Sequence, residues 1–378
     1  MKVFVTKSGY EKAKKRLPWI YQNEIKKAPE CDTGSIADVY YGDIFLGVAF
    51  YNPLSKISLR FLSFKESVID KNFFKSRILK AIQKRVFKNT NSYRLIHSEA
   101  DMLPGLIVDK YGENLVLSIT TAGMENFKGI IIEILIELLN PQGIYEKGDK
   151  IRQKEGLEVV SQTLYGSVDE EFLIEENSKK FLTNLKESQK TGFFLDQRRN
   201  RQIVGKYGNK KTLDLFSNAG GFGIYAKASF TKFVEISAFA CSQIEKNCEL
   251  NSLENYEIVK MDVFKFLETE KEKYDLIIID PPAFAKSKSA KKGALKGWKY
   301  LIVNALKLLE EGGYMALFSC SHSITSSDLL DLSLSSSIID GSYLEVVEFM
   351  KQDTDHPYLI NIPNSLYLTG GLLRKTKW

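Results

Sequence analysis

The stretch that decides the fold of the C-terminal half is "KTLDLFSNAGGFG", from Lys211 to Gly223. An apolar run of strand length ends here in a polar turn with two adjacent glycines, a pattern typical of a β-strand that turns tightly into a helix. Four more apolar runs follow, with helix-length segments between them: "KFVEIS", "YEIVKMD", "YDLIIID" and "YMALFSC". This alternation predicts a doubly wound α/β domain around a parallel sheet. Two late runs, "YLEVVEFMKQ" and "SLYLTGGLLRKT", predict antiparallel strands at the edge of that sheet.

Two zones of different texture precede this domain. Residues up to about Phe64 alternate apolar and polar side chains between turn signals, which predicts a small β-barrel with an early helix. A middle zone from about Ser67 to Glu187 mixes a charged helix, an amphipathic helix and short strands, as in a small α+β domain. The predicted domains are therefore 1–66, 67–187 and 188–378.

Composition sets limits on the class of protein. The chain has 378 residues, a net charge of +6, four cysteines and three histidines. The charge is compatible with a polyanionic partner but does not establish one. The cysteines show no CxxC spacing, so we expect no metal site and a reducing compartment such as the cytoplasm. The longest apolar run, "GIIIEILIELL", contains two glutamates and is too short to span a bilayer, so no membrane association is expected.

Polar residues gather at the predicted carboxyl ends of the strands, where an open α/β sheet binds its ligand. The glycine spacing is not GxGxxG, which disfavours a dinucleotide site. A glycine turn, an acid after the second strand for ribose hydroxyls and an acid after the third for an adenine amine together describe an S-adenosylmethionine site. The alternative is that these acids only cap helices. The predicted cofactor residues in these segments are Asp214, Phe216, Ser217, Asn218, Gly220, Gly221, Glu235, Ile236, Ser237, Asp262 and Val263.

The fourth strand of this domain ends in "DPPAF", from Asp280 to Phe284. Two prolines stop the strand ladder and hold Asp280 at the strand end, where we expect it to face the cofactor. Phe284 offers an apolar ring for stacking against an extruded base. Lys286 and Lys288 lie in the following "KSKSAKK" and suit contact with a phosphate backbone, although a solvated charge run is the simpler explanation of that segment alone.

The fifth strand ends in "FSCSH", with Cys320 at the strand end and His322 two positions on. A ring or exocyclic nitrogen has a lone pair and needs no covalent help, whereas carbon 5 of a pyrimidine becomes nucleophilic after a thiolate adds to carbon 6. Cys320 is therefore the candidate nucleophile, with Asp280 as hydrogen-bonding partner of a cytosine. A buried apolar role is the alternative for Cys320, and the cofactor pattern disfavours a Cys–His hydrolase.

Several segments resemble the PUA-containing 23S rRNA cytosine-carbon-5 methyltransferases: "LPWIYQNEI", "SEADMLPGLIVDKYG", "KTGFFLDQRRNR", "LDLFSNAGGFGIYA", "DPPAFAKSK", "FSCS" and "DHP". The resemblance covers nearly the whole chain. It implies an N-terminal PUA barrel that contacts RNA, a central α+β domain and a C-terminal Rossmann-like class I methyltransferase domain. It also implies S-adenosylmethionine as cofactor, 23S rRNA as partner and Cys320 as nucleophile. The same resemblance places Phe194 and Asp196 at the cofactor and Arg198 or Arg199 near RNA, and it leaves a homodimer open.

Some positions depart from the pattern of that family. Asn218-Ala219 replaces a frequent Tyr-Thr, Glu235 replaces a frequent Asp, and Ala49 stands where the barrel often has Gly. Other RNA cytosine methyltransferases place a second cysteine beside the two prolines, where this sequence has Ala283. The base that removes the carbon-5 proton is therefore not identified. Two further functions stay open: a guanine ring-nitrogen methyltransferase, a branch with asparagines in place of "CS", and an inactive RNA-binding assembly factor, which the altered Asn218-Ala219 motivates.

Overall fold

A computed structural model describes residues 1–187, 192–284 and 290–377. Its contacts divide the chain into two compact units. The first consists of Met1–Phe172 with Asp355–Ser365, and the second of Leu173–Glu187 and Phe193–Thr354 with the residues from Leu366 onward. No helix in the described ranges is long and apolar enough to cross a membrane. The three-domain boundaries expected from the sequence stay a prediction.

The first unit begins with a short-stranded β module. Its strands are β1 (Lys2–Val5), β2 (Trp19–Ile20), β3 (Ile25–Lys27), β4 (Ser35–Tyr41), β5 (Ile44–Tyr51) and β6 (Leu59–Ser63), and helix α1 (Lys7–Lys14) follows the first strand. Among the described residues they form a six-stranded sheet in the order β2-β6-β5-β4-β1-β3. Alternate apolar side chains, among them Val3, Val39 and Phe61, are buried together because successive residues of a strand face opposite sides.

A second sheet and three helices complete the first unit. The helices are α2 (Lys71–Gln83), α3 (Ala122–Glu125) and α4 (Lys128–Leu139), and the strands are β7 (Ser92–His97), β8 (Leu106–Tyr111), β9 (Asn114–Ile119), β10 (Gly143–Glu146) and β11 (Gln162–Gly166). The strand order in the described residues is β11-β10-β9-β8-β7. Asp70 begins helix α2 by accepting the backbone N–H of Phe73 at 2.8 Å. Phe74 of α2 and Ile131 of α4 belong to the same buried cluster as Leu117 of the sheet.

Buried polar contacts hold the "DHP" segment in the first unit. Asp355 accepts the backbone N–H of Arg94 in strand β7 at 2.9 Å, and its carbonyl accepts Arg85 Nη2 at 3.2 Å. Arg85 also donates two hydrogen bonds, of 2.8 and 2.6 Å, to the carboxylate of Asp101. These contacts explain why residues near the C-terminus cluster with the N-terminal half of the chain.

The second unit is built on a large mixed sheet. Its helices are α5 (Arg198–Val204), α6 (Gly221–Tyr225), α7 (Ala238–Leu250), α8 (Val263–Thr269), α9 (Lys291–Leu308) and α10 (Ser326–Asp340). Its strands are β12 (Glu171–Glu176) and β13 (Lys179–Asn184), which form a hairpin, and then β14 (Lys211–Leu215), β15 (Phe230–Glu235), β16 (Tyr256–Lys260), β17 (Tyr274–Ile279), β18 (Leu309–Ser319), β19 (Tyr343–Lys351) and β20 (Thr369–Thr376). In the described residues the sheet order is β16-β15-β14-β17-β18-β20-β19.

The direction of these strands confirms the prediction from the alternating pattern. Strands β14 to β18 are parallel, and β20 pairs antiparallel with both β18 and β19 at the edge. Strand β17 is buried on both faces, since Leu276 and Ile278 join one apolar cluster while Ile277 and Ile279 join another. Strand β14 has β15 on one side and β17 on the other, so the strand order reverses there and the ligand site is expected at its carboxyl end.

Candidate active site

The turn after strand β14 is held in an unusual backbone conformation. Phe216 has φ 61° and Asn218 has φ 49°, which non-glycine residues rarely adopt. Gly220, with φ 77°, precedes helix α6. A Cβ on Gly223 would lie 2.3 Å from the ring of Phe233, so the helix can pack against strand β15 only with glycine at this position. Two non-glycine residues with positive φ therefore lie next to a helix that needs glycine to pack against strand β15. This combination indicates that the turn is shaped to bind a ligand rather than to stabilise the fold.

Glu235 ends strand β15 and faces this turn. Its Oε2 accepts the backbone N–H of Asn218 and its Oε1 accepts that of Ser237, both at 2.9 Å. Each carboxylate oxygen keeps a second lone pair, so Glu235 can still accept hydrogen bonds from a ribose diol. Ile236 beside it is 66% exposed and offers an apolar surface. The carboxylate therefore fixes the turn and can also receive the sugar of a nucleoside.

The side chain of Ser217 forms hydrogen bonds with strands β14 and β15. Its hydroxyl donates to the carbonyl of Asp214 at 2.6 Å and accepts the backbone N–H of Val234 at 3.1 Å. The side chain is buried and joins strands β14 and β15. Contact of Ser217 with the cofactor stays a prediction.

Asp214 is the buried carboxylate of the site. Its Oδ2 accepts the backbone N–H of Gly223 at 2.9 Å. Burial, and then the nearby charges of Asp280 and Glu235, raise the pKa of Asp214 to about 8, although the hydrogen bond from Gly223 opposes this. Three carboxylates thus lie close enough to repel one another at one edge of the sheet. This set of groups fits a ligand that carries positive charge, such as the ammonium and sulfonium of S-adenosylmethionine, and does not fit a pyrophosphate.

Asp262 begins helix α8. Its Oδ1 accepts the backbone N–H groups of Phe264 at 3.0 Å and Lys265 at 3.2 Å. Asp262 therefore caps helix α8, which was the alternative explanation of this residue in the sequence analysis. Val263 is buried next to it. Contact of these two residues with an adenine ring stays a prediction.

Asp280 is oriented by the segment that precedes helix α5. Gln197 Nε2 donates to Asp280 Oδ2 at 3.1 Å. Asn200 donates to Gln197 Oε1 at 2.6 Å and to the carbonyl of Lys351 at 3.0 Å, which fixes the Gln197 side chain. The carbonyl of Phe194 in the same segment accepts Arg201 Nη1 at 2.9 Å. The "FFLDQR" segment therefore lies within hydrogen-bonding distance of the end of strand β17.

The two arginines of this segment differ in exposure. Arg198 is buried, and its Nε and Nη2 both lie 2.8 Å from Asp353 Oδ2. Arg199 is exposed. The expectation that Arg198 lies near RNA does not fit its buried ion pair, so Arg199 is the better candidate. Asp196 is also buried, and its Oδ2 accepts the hydroxyl of Tyr367 at 2.6 Å.

Cys320 directly follows strand β18. This strand is the parallel neighbour of β17, and Leu317 is in register with Ile279, so Cys320 and Asp280 come from adjacent strand ends. Cys320 is partly exposed, whereas Ser319 and Ser321 on either side are buried. Phe318 stacks on Phe222 with ring centroids 4.9 Å apart and anchors the end of the strand. Its exposure distinguishes Cys320 from Cys248 of helix α7, which is fully buried.

The proposed base-stacking residue is half-buried. The ring of Phe284 packs against Phe216, Phe264 and Trp298, with centroid distances of 6.2, 6.0 and 6.1 Å. Three aromatic neighbours fix the ring, and only its exposed part is open to a base. Lys286 and Lys288 lie outside the described residues.

Comparison with known families agrees with this arrangement. A model of PUA-like domains matches residues 3–64. A model of S-adenosylmethionine-dependent methyltransferases matches residues 150–359, more than half of the chain. The chain belongs to the S-adenosylmethionine-dependent methyltransferase family. Its cofactor is therefore S-adenosylmethionine, as the glycine turn and the strand-end acids predicted, and the predicted PUA-like and Rossmann-like folds are confirmed.

Full-length relatives of this methyltransferase are known. It is 34% identical to ribosomal RNA large subunit methyltransferase I of Pseudoalteromonas atlantica, with 94% of each chain covered. It is 36% identical to the protein of the same name from Escherichia coli, with 97% of each chain covered. A crystal structure of a protein assigned as a methyltransferase, in complex with S-adenosylhomocysteine (SAH), superposes with a TM-score of 0.85 at 25% identity and covers 99% of this chain and all of the other.

Several residues that build the site were not predicted from the sequence. Glu176 of strand β12 receives two hydrogen bonds from Arg201, of 2.8 and 2.6 Å, although the two residues are 25 positions apart. Asn247 of helix α7 donates to the carbonyl of Ala219 at 3.0 Å and accepts the backbone N–H of Leu182 at 2.7 Å. No local pattern marks such pairs. Gln197, by contrast, lies inside the quoted "KTGFFLDQR", where the sequence did hold a signal.

The raised pKa of Asp214 predicts a pH-dependent stability of the methyltransferase without its cofactor. Below about pH 4 the carboxyl is protonated in both the folded and the unfolded chain. As the pH rises toward about 8 the unfolded chain loses this proton while the folded chain keeps it, so the stability of the native state falls. We expect the Asp214→Asn variant to be more stable than wild type. The difference in their free energies of unfolding should grow from about pH 4 to about pH 8 and stay constant above about pH 8.

Urea denaturation across this pH range measures the effect. Asp275→Asn is the matched control, because Asp275 also accepts one backbone N–H, that of Lys211 at 2.9 Å, but at an exposed site. Stability curves for wild type and Asp214→Asn that run parallel between pH 4 and pH 9 would contradict the assignment of a raised pKa to Asp214.

Proposed function

We propose that this protein transfers a methyl group from S-adenosylmethionine to carbon 5 of a cytosine in 23S rRNA, with Cys320 as covalent nucleophile. The observation that carries the proposal is the partly exposed Cys320 at the end of strand β18, next to the strand that ends at Asp280. Two full-length relatives are named for the methylation of large-subunit ribosomal RNA, which supports RNA as the substrate. The thiol supports carbon as the accepting atom.

The residues of the turn would hold the cofactor. Glu235 would accept the ribose hydroxyls, Ile236 and Val263 would line the adenine, and the backbone from Phe216 to Gly221 would follow the methionine part. S-adenosylmethionine supplies an electrophilic methyl group. Asp214 and Asp280 would offset its positive charge, and binding of a cation is expected to lower the pKa of Asp214 from its raised value.

Asp280 would orient the base. Gln197 donates to its Oδ2. The carboxylate would accept a hydrogen bond from the exocyclic amine of a cytosine or, when protonated, donate one to N3. Hydrogen bonding at N3 stabilises the charge that develops on the ring when a nucleophile adds to carbon 6. Phe284, fixed by its aromatic neighbours, would pack against the extruded base.

Cys320 would supply the covalent step. Its thiolate forms a bond to carbon 6, and the electron pair of the 5,6 double bond becomes available at carbon 5, which then takes the methyl group. A base removes the proton from carbon 5, the double bond re-forms and the sulfur leaves carbon 6, so the thiolate is regenerated. The residue that takes this proton is not assigned, since Ala283 occupies the position where related enzymes place a second cysteine.

Nucleoside mass spectrometry of 23S rRNA tests the proposal. Ribosomal RNA from cells that lack the protein is incubated with the purified enzyme and S-adenosylmethionine, and the product is digested to nucleosides. We expect 5-methylcytidine at one site, absent from the untreated RNA. A methylguanosine product would establish the ring-nitrogen alternative. No methylated nucleoside, together with no S-adenosylmethionine binding in calorimetry, would establish the inactive assembly factor.

A further inference from the structure

Three partly exposed aromatic rings meet at the carboxyl end of the large sheet, and each follows a different strand. Phe216 lies in the turn after strand β14, which we call the cofactor turn. Phe264 lies two residues after Asp262, at the start of helix α8, and Phe284 follows the two prolines after strand β17. We call the three rings the aromatic triad. Its members come from the segments predicted to hold the methionine part, the adenine and the reacting base.

Each ring of the aromatic triad contacts the other two. The ring centroids of Phe216 and Phe284 are 6.2 Å apart with an interplanar angle of 71°. Those of Phe216 and Phe264 are 6.5 Å apart at 72°, and those of Phe264 and Phe284 are 6.0 Å apart at 51°. Rings in edge-to-face contact attract one another because the positive edge of one meets the negative face of the other. A shift of one ring therefore changes the contacts of both others.

Helix α9 supports two members of the triad from behind. The ring of Phe284 packs against the buried Trp298 with centroids 6.1 Å apart, and that of Phe264 against Tyr300 at 5.6 Å. A Cβ on Gly297 would lie 3.9 Å from atoms of both Phe264 and Phe284, so the helix backbone runs directly beneath these two rings. Their positions are thus set by the core of the second unit.

The third member, Phe216, is attached through the cofactor turn. Its backbone has φ 61°, and its N–H donates to the carbonyl of Val234 in strand β15 at 3.0 Å. The position of its ring therefore depends on a backbone conformation that non-glycine residues rarely adopt. A cofactor that follows the backbone from Phe216 to Gly221 would contact this turn directly. Phe216 thus joins the turn that would hold the cofactor to the ring that would receive the base.

We propose that Phe216 is a positioning residue that couples the binding of cofactor and RNA. Occupancy of the cofactor turn orders the Phe216 ring, and this ring then holds Phe284 in place for the base. The inference rests on the proposed function, because it takes Phe284 as the surface against which the base packs. A base that meets an already ordered ring loses less conformational entropy, so the cofactor raises the affinity for RNA. By linkage, RNA raises the affinity for the cofactor by the same factor.

The test measures this coupling as the ratio of two dissociation constants. Filter binding of unmodified 23S rRNA, transcribed in vitro, gives the dissociation constant of the RNA without SAH and with saturating SAH. SAH would occupy the cofactor turn without supplying a methyl group, and calorimetry sets its saturating concentration for each variant. An edge-to-face aromatic pair changes an equilibrium constant by about 2- to 10-fold, so we expect SAH to tighten RNA binding to wild type by roughly fivefold.

Three variants isolate the Phe216 ring. Phe216→Leu removes the aromatic contact and should bring the ratio close to unity, whereas Phe216→Tyr keeps the ring and should keep the ratio of wild type. Tyr207→Leu is the matched control, because Tyr207 is also partly exposed and packs on an aromatic ring, that of Tyr314 at 4.6 Å. These two tyrosines belong to the apolar cluster on the other face of the sheet, so the ratio should be that of wild type.

The outcomes separate this inference from the proposed function. An RNA affinity of wild type that SAH does not change would overturn the coupling, even if the enzyme makes 5-methylcytidine. Weaker SAH binding by Phe216→Leu with the ratio of wild type would show a cofactor contact alone and would also overturn it. Equal loss of coupling in Tyr207→Leu would overturn the assignment to Phe216. Loss in Phe216→Leu alone supports the inference whichever nucleoside is methylated, because the measurement involves no methyl transfer.

Discussion

Replacing Cys320 with alanine is expected to abolish methyl transfer to carbon 5, with a loss of at least roughly a thousandfold in rate, as when a covalent nucleophile is removed from other enzymes. Carbon 5 of cytosine has no lone pair, and without a bond from sulfur to carbon 6 no electron pair is made available there. Cys320 is partly exposed, so its truncation removes few buried contacts and should leave the fold intact. Release of tritium from 5-tritiated cytosine in 23S rRNA measures the loss directly.

Two companion measurements separate loss of chemistry from loss of structure. Calorimetry should give the same S-adenosylmethionine affinity for wild type and Cys320→Ala, since none of the predicted cofactor residues lies in strand β18 or directly after it. Cys320→Ser keeps the size of the side chain and should be nearly as inactive, because a hydroxyl is far less nucleophilic than a thiolate. Undiminished tritium release from Cys320→Ala would end the covalent mechanism while leaving the fold and the cofactor assignment in place.

The second large effect is expected at the buried ion pair of Glu176 and Arg201. Glu176→Ala should lower the free energy of unfolding of the second unit by about 3–5 kcal/mol, since it leaves a buried guanidinium without its carboxylate. The side chains of Glu176 and Arg201 are 0% and 3% exposed. Burial acts to lower the pKa of Arg201, but the charge and hydrogen bonds of Glu176 outweigh it, so the pKa is raised above its ordinary value. Arg201 also lies 4.5 Å from the ring of Phe193 and contacts the carbonyl of Phe194, so the segment that orients Asp280 should loosen.

Denaturation in urea, with S-adenosylmethionine affinity measured alongside, tests this expectation. Glu272→Ala is the control, because it removes the exposed pair of Lys211 and Glu272 at 3.3 Å, and such pairs contribute little. The double variant Glu176→Met/Arg201→Met should recover much of the lost stability, since apolar side chains of similar volume replace a buried pair without leaving a lone charge. If Glu176→Ala unfolds at the same urea concentration as Glu272→Ala, the ion pair does not hold the hairpin to helix α5.

Predictions from the sequence were most successful for the strands of the α/β domain and for the polar residues at their ends. The apolar runs after Lys211 form the strands that were expected, and the two late runs pair antiparallel at the edge. Glu235 lies at the turn as its position after the second strand implied. Arg198 was the weakest assignment, because Arg198 and Arg199 are adjacent and identical. The sequence gives no sign of which of the two is buried. Burial of Arg198 depends on Asp353, which lies 155 positions away in the chain.

The sequence alone determined the α/β domain and the cofactor turn, and it predicted Cys320 and Asp280 as site residues. These features follow from local rules: the period of apolar residues, the backbone freedom of glycine, the arrest of a strand by proline and the nucleophilicity of a thiol. Only the tertiary structure decided that Gln197 orients Asp280 and that Glu176 neutralises Arg201. Such contacts join residues far apart in sequence, and the burial and charge that decide them exist only after the chain has folded.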